Sequence, residues 1–318
     1  MIDDLLKENF LNMVDPDNIR VYQPTSLVLV CGGAMNSGAT PPPSLREAFL
    51  RLIYEGPFKG KYRPLIAEEV INLFDDGGYS DFLTLETDIA QICSLIIVFS
   101  ESFGSAAELG AFATSKEIAK RTLVVIGDHE YNQKSFIKYG PIRSLEKSYG
   151  ANSICVIKPK DIGVENLKNL NNINMNDLSD ILFELVQTKA KLVEKHSRFD
   201  KYLSGHKIKL IVGLIQWFGA LTLEEIEVAL YCIGVTCTED DIENYLKCAN
   251  FAGWIKSEKR GVRTFHAAAA EIMAVRFYPR PGTTKIDALR WQTEARAVWR
   301  EKDVRRFNFI AEVQKEAR

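Results

Sequence analysis

The sequence predicts an α/β fold, a doubly wound parallel sheet of five strands, followed by a smaller helical domain that ends in a β-hairpin. Two observations carry the first part. Residues 26–30 (SLVLV), 95–99 (LIIVF), 122–126 (TLVVI) and 153–157 (SICVI) are short apolar runs rich in β-branched side chains. The central ones show almost no polar alternation, as strands buried on both faces do. Segments with helical spacing separate them, and strand–helix alternation implies parallel strands joined by crossovers. The third observation is a change of texture after Pro159, where the alternation stops.

Element by element, the strand at 26–30 is followed by a helix at 44–54, a fifth strand near 62–67 and a helix at 83–92. The strand at 95–99 leads into a helix at 106–120, and the strands at 122–126 and 153–157 complete the sheet. Residues 166–180 are polar and Asn-rich, and 181–202 has amphipathic helical spacing. Helices are then expected at 207–218, 223–233 and 239–249. Short strands at 254–257 and 263–266 flank Glu258-Lys259-Arg260-Gly261, a turn with glycine at its end. That is the order of a winged helix-turn-helix. A last amphipathic stretch covers 287–313. The expected division is a first domain of residues 1–160, a linker and helix at 161–203, and a second domain at 204–318.

Composition bounds the function. The 318 residues are twice the length of an average domain, and 46% hydrophobic with 26% charged residues excludes wholesale disorder. No run of about 18 apolar residues exists to span a membrane. The acidic Met1-Ile2-Asp3-Asp4 start lacks a signal core, so a cytoplasmic location is expected. Cysteines 31, 93, 155, 232, 237 and 248 form no CxxC pair, and no histidines sit nearby at ligand spacing, which argues against structural zinc and a disulfide framework. Neither a P-loop nor a GxGxxG is present, against an NTPase or a dinucleotide-dependent dehydrogenase. No metal or cofactor is expected.

In an open parallel sheet, ligands bind beyond the carboxyl ends of the strands. After the first strand comes Cys31-Gly32-Gly33, which lets backbone approach a ligand or simply opens a long loop. After the third comes Ser100-Glu101-Ser102-Phe103-Gly104-Ser105, opening a helix whose free N–H groups suit a phosphate. Glu108 follows one turn in, where a carboxylate can attack a sugar anomeric carbon or stabilise an oxocarbenium-like centre. The competing reading is a capping box, Ser105-Ala-Ala-Glu108, a pattern repeated at Ser44–Glu47 and Thr222–Glu225. Glu86 and Asp88 form a second acidic pair, of which one can aim at the crevice while the other is solvated. Arg46 and Lys134-Ser135 are candidate anion partners.

Together these residues resemble the nucleoside 2-deoxyribosyltransferase superfamily of N-glycosidic-bond enzymes, with a flavodoxin-like sheet. Within it the chain is most similar to effector proteins of bacterial retrons. The carrying residues are Cys31-Gly32-Gly33, Leu85-Glu86, Phe99-Ser100-Glu101-Ser102 with Gly104-Ser105, and Glu108-Leu109-Gly110-Ala111-Phe112. Lys134-Ser135-Phe136-Ile137 and Tyr139-Gly140-Pro141 fit the retron branch. The resemblance implies a toxin-like enzyme that cleaves the N-glycosidic bond of a nucleotide, with NAD+ as the substrate of a relative. It also implies anti-phage defence in a complex with the retron reverse transcriptase and its RNA-linked multicopy single-stranded DNA, within which the effector could form a homo-oligomer. Carried over, Glu108 matches the nucleophilic glutamate and Glu86 an acidic position near ribose and base. Gly32, Gly33, Arg46, Ser102, Gly104 and Ser105 would bind substrate. Where the transferases carry Asp-Gly-Thr before the glutamate, this chain has Phe103-Gly104-Ser105.

Two rival functions remain at this level: a deoxyribosyltransferase acting on other nucleotides, and a nucleotide-sensing DNA-binding regulator without catalysis. A recognition helix should offer Arg, Lys, Asn or Gln to base edges, yet residues 239–247 carry four acids and one lysine. The net charge of −2 hides an asymmetry, since residues 256–318 hold 15 Lys and Arg against 8 Asp and Glu. Lys259, Arg260, Arg290, Arg296, Arg300, Arg305 and Arg306 are therefore candidate phosphate contacts, unless the segment is only a solvated basic helix. Trp291 and Trp299, eight residues apart, read as a packing stripe or as base-stacking rings.

Overall fold

The structure, a computed structural model, describes residues 10–192, 194, 196–283 and 287–316. It divides into two compact units. One comprises Ser26–Asn72 and Cys93–Glu194, and the other Met1–Thr25, Leu73–Ile92 and Lys195–Arg318. No helix among the described residues is long and apolar enough to cross a membrane.

The first unit holds a parallel sheet of Leu27–Cys31, Arg63–Ile66, Leu95–Phe99, Thr122–Gly127 and Ile154–Ile157. Numbered along the chain, these strands lie in the order 2-1-3-4-5. Every residue of Leu27–Cys31, Leu95–Phe99 and Thr122–Gly127 is buried, which is why these segments lack polar alternation. On one face, Val28, Val30, Ile97, Phe99 and Val125 pack with the Leu45–Glu55 helix and with Leu178, Leu182 and Val186 of the Met175–Lys191 helix. That last helix is capped by the Asn174 side chain. Its apolar face completes the sheet's core, so the compact unit runs past residue 160 to about 194.

In the second unit, Val14–Tyr22 pairs antiparallel with both Val275–Pro279 and His196–Arg198. The helices Ser204–Phe218, Leu223–Cys232 and Glu239–Phe251 follow, and then a hairpin of Ile255–Arg260 and Arg263–Ala268 to which the short Ala220–Leu221 strand adds. Arg260 pairs with Arg263, so the turn is Gly261-Val262 and the strands run further than expected. Gly261 has φ +72° and no other residue type among those described has positive φ, which makes a two-residue turn with glycine first. The final amphipathic stretch is two helices, Ala288–Lys302 and Val304–Glu316, broken at Asp303, whose side chain accepts the Arg306 N–H at 3.1 Å. Trp291 and Trp299 are both buried, Trp291 against Phe10 and Phe218, so the stripe packs inward.

The hairpin also buries a titratable group. His266 Nδ1 lies 2.8 Å from Ser257 Oγ, and burial pushes its pKa down to about 4, with Glu224 pulling weakly the other way. The unfolded chain takes up that proton near pH 6.5, but the folded chain does so only near 4. Stability present above pH 6.5 is therefore lost as pH falls towards 4, by roughly 3 kcal/mol at most. Urea titrations across this window should show that slope, and His266→Gln should flatten it.

Candidate active site

The reversal in strand order lies beside Leu27–Cys31, so the segments leaving this strand and its neighbour Leu95–Phe99 border the carboxyl-end crevice. Gly32 and Gly33 are there because nothing larger fits. A Cβ on Gly32 would lie 2.8 Å from Phe99 Cβ and 2.9 Å from Arg46 Cβ; one on Gly33 would lie 2.9 Å from Ser44 Cβ. The glycines let this strand end, the Leu45–Glu55 helix and the 99–101 turn meet.

Glu101 fastens that meeting. Its carboxylate accepts the N–H groups of Leu45 at 2.7 Å, Arg46 at 3.2 Å and Gly33 at 3.3 Å. The first two belong to the opening turn of the Leu45–Glu55 helix, where the helix dipole favours a negative charge. Burial raises the Glu101 pKa above the usual carboxylate range, against the downward pull of these three bonds and of Arg46. Sequence spacing could not reveal this role, because Glu101 caps a helix more than fifty residues away in the chain.

The next turn decides how Glu108 is to be read. The Phe103–Thr114 helix has Ser102 as its N-cap, with Ser102 Oγ accepting the Ser105 N–H at 3.1 Å. Ser105 Oγ in return accepts the N–H groups of Ser102 at 3.0 Å and Glu101 at 3.2 Å. The capping box is Ser102 with Ser105, one turn earlier than the Ser105–Glu108 reading. Glu108 therefore stands at the sixth helical position, outside the cap and half-buried, while Ser105, Leu109 and Phe112 form the buried face. Of the other expected boxes, Thr222–Glu225 is a full one, whereas at Ser44 only the Glu47 N–H is accepted.

Among the expected substrate-binding residues, Ser105 is buried, and both its amide and its hydroxyl are engaged in the cap. Ser102 Oγ also donates to Gly32 O at 3.2 Å, tying the two crevice loops together. Gly104 is exposed, and a Cβ there would meet Ser102 Oγ at an ordinary 3.8 Å. Arg46 is buried and grips Glu68 with two bonds, Nη1–Oε1 at 3.0 Å and Nη2–Oε2 at 2.6 Å, while Nη1 also donates to Gly33 O. Burial raises the Glu68 pKa, but the Arg46 bond and charge outweigh it and hold this carboxyl low. Arg46 thus braces the glycine turn.

Glu86 lies on the Phe82–Ile92 helix of the second unit, where both it and Asp88 are buried. Neither is the solvated partner that alternate spacing predicts. Asp88 accepts the Tyr79 hydroxyl at 2.8 Å, and Tyr79 also lies 3.1 Å from Cys248 Sγ. Burial raises both the Asp88 and the Tyr79 pKa.

The basic candidates separate in the same way. Arg306 is 1% exposed, 2.7 Å from Glu225 and 3.4 Å from Asp303, with its guanidinium 4.0 Å from the centre of the Trp299 ring. Arg260 pairs with Glu258 and Glu312 and lies over Phe309. Both guanidinium groups are engaged by acids and aromatic rings of the fold. Arg290 is exposed beside Glu294, and Lys259, Arg296, Arg300 and Arg305 are exposed.

Comparison with known proteins decides the kinship. Residues 42–257, two thirds of the chain, match the model of the STM3845 retron effector protein family. This chain is a retron effector. It is 27% identical over 220 residues to the Escherichia coli protein named "Retron Ec73 putative ribosyltransferase/DNA-binding protein". That match covers 66% of each chain. A second Escherichia coli protein, from retron Ec86 and named in the same words, is 43% identical over 81 residues, covering 24% of this effector and 26% of its own length.

Proposed function

We propose that this effector cleaves the N-glycosidic bond of a nucleotide, NAD+ first among candidates, and that it serves anti-phage defence. In this reading it is held in check in the cytoplasm by the retron reverse transcriptase and its RNA-linked single-stranded DNA. The observation that supports it best is the position of Glu108. The sequence offered a capping role for this carboxylate, and the Ser102–Ser105 pair fills that role instead. A half-buried carboxylate one turn into a helix that opens on the carboxyl end of a buried parallel strand supports a role towards a ligand.

The chemistry follows from the charge on NAD+. A Glu108 oxygen attacks the anomeric carbon, and the C–N bond breaks with its electron pair moving onto the pyridinium nitrogen, so nicotinamide leaves neutral. Water then attacks the same carbon, displaces Glu108 and gives ADP-ribose and a proton. Gly104, exposed at the helix opening, can approach a phosphate without steric cost. Glu86 is assigned to ribose or base by resemblance alone. The word ribosyltransferase in the relatives' names agrees with glycosyl transfer. A supplied acceptor base would separate hydrolysis from base exchange.

The winged-helix reading of 204–268 is part of the proposal, as is nucleic-acid contact through the exposed Lys259, Arg290, Arg296, Arg300 and Arg305. The purified chain incubated with NAD+ should release nicotinamide and ADP-ribose in equal amounts. Intact NAD+, together with an unchanged nucleotide pool by mass spectrometry in cells expressing the chain, would overturn the enzymatic reading.

A further inference from the structure

We infer that nucleic acid meets the effector at the tip of the Ile255–Arg260/Arg263–Ala268 hairpin and not along the Glu239–Phe251 helix. This inference rests on the nucleic-acid part of the proposed function. In helix-turn-helix proteins the N-terminal residues of the third helix reach the base edges. Here those positions are Glu239, Asp240 and Asp241. The residues able to read bases are already engaged. Lys247 Nζ donates to Gly77 O at 2.7 Å, Asn244 Nδ2 to Gly78 O at 3.4 Å and Asn250 Nδ2 to Ser257 Oγ at 2.9 Å. The same helix contributes Cys248 to the buried Tyr79 contact. Its side towards the hairpin borders a groove in which Glu224, Glu239 and Glu243 stand beside Lys247 and Arg263. Phosphate entering on the helix side of that groove would meet three carboxylates, and on the other face of the helix it would have to displace the 77–79 segment.

The hairpin tip has the opposite character. Arg260 neutralises Glu258 and Glu312, so these two acids do not compete for its neighbours. Lys259 is exposed, Arg263 is 59% exposed with only a loose 3.7 Å approach to Asp303, and the Arg305 guanidinium lies against Gly261. Three cations therefore surround one turn. At its apex Val262 is 94% exposed, an apolar side chain with no packing role. Cations that grip phosphates around a projecting apolar wedge suit a nucleic-acid groove, where such side chains slip between base steps. Lys259, Arg263 and Arg305 take the sugar–phosphate backbone, and Val262 touches the bases.

The test uses the full chain and a fluorescently labelled DNA duplex carrying 2-aminopurine, titrated across a salt series. Replacing Lys259, Arg263 and Arg305 together by Gln should weaken binding and flatten the log K against log salt slope by about two to three units. Val262→Ala should keep the slope and lose the 2-aminopurine signal. Asn244→Ala with Lys247→Ala should leave both unchanged. If the parent binds but the triple variant keeps its slope, or if the helix pair abolishes binding, the tip assignment fails and the nucleic-acid reading stands. A parent that binds no duplex at any salt overturns both.

Discussion

Glu108→Gln leaves the fold intact and abolishes base release. The substitution keeps the shape of the side chain and removes the charge and the nucleophilic oxygen. Turnover should fall by roughly 10²–10⁴-fold, the range for one positioned catalytic group. The helix should not notice, because Glu108 is the sixth residue of Phe103–Thr114 and takes no part in its cap. Ser102→Ala provides the contrast. It removes the acceptor of the Ser105 N–H and the bond to Gly32 O, and should cost about 0.5–2 kcal/mol of stability. Paired melting curves and nicotinamide assays on the two variants separate chemistry from capping. Equal base release by Glu108→Gln and parent would remove Glu108 from the mechanism.

Arg306→Ala produces the largest loss of stability. The guanidinium is enclosed by Glu225, Asp303, Phe265 and Trp299, and Nη1 reaches Ala220 O at 3.4 Å. Glu225 also closes the capping box on the Thr222 N–H, so it cannot turn away to solvent without undoing the Leu223–Cys232 cap. Removing Arg306 leaves this carboxylate, 15% exposed, without its cation and opens a void beside two aromatic rings. The expected cost is roughly 3–5 kcal/mol, read as a fall in the urea midpoint. Arg306→Met should recover part of it by filling the space. Lys256→Ala, which breaks an exposed pair with Glu316, should cost about 0–1 kcal/mol. A small loss in Arg306→Ala would return this residue to the surface set.

The elements legible in the sequence share a physical cause. The Leu27–Cys31, Leu95–Phe99 and Thr122–Gly127 strands could be read because burial on both faces writes itself as unbroken apolar runs, whereas the edge strand Arg63–Ile66, largely exposed or half-buried, leaves only a faint trace. Ala220–Leu221 and His196–Arg198 could not, since two or three residues carry no period. Val14–Tyr22 contains Asp15, Pro16 and Asp17 and pairs with a strand more than 250 residues away, a partnership that local pattern cannot show. Glu108 and the glycine turn could be located because each comes shortly after a buried strand. Which serine caps the helix could not, because Ser102 and Ser105 both satisfy the local rule and only backbone geometry chooses between them. Which basic side chains are engaged within the fold could not be read for a related reason. Composition counts charges, but Arg46, Arg260 and Arg306 differ from Lys259 and Arg305 only in the acids that tertiary structure brings beside them.

The claim that Glu108 is the group that bonds to the anomeric carbon has a direct test. An NAD+ analogue with fluorine at the ribose 2′ position slows release of a glycosyl–enzyme more than its formation. After incubation with the purified effector, peptide mass spectrometry should find the ADP-fluororibosyl mass on Glu108, in step with a burst of nicotinamide. Modification on a different residue, or continued nicotinamide release with no modified peptide, would contradict the account.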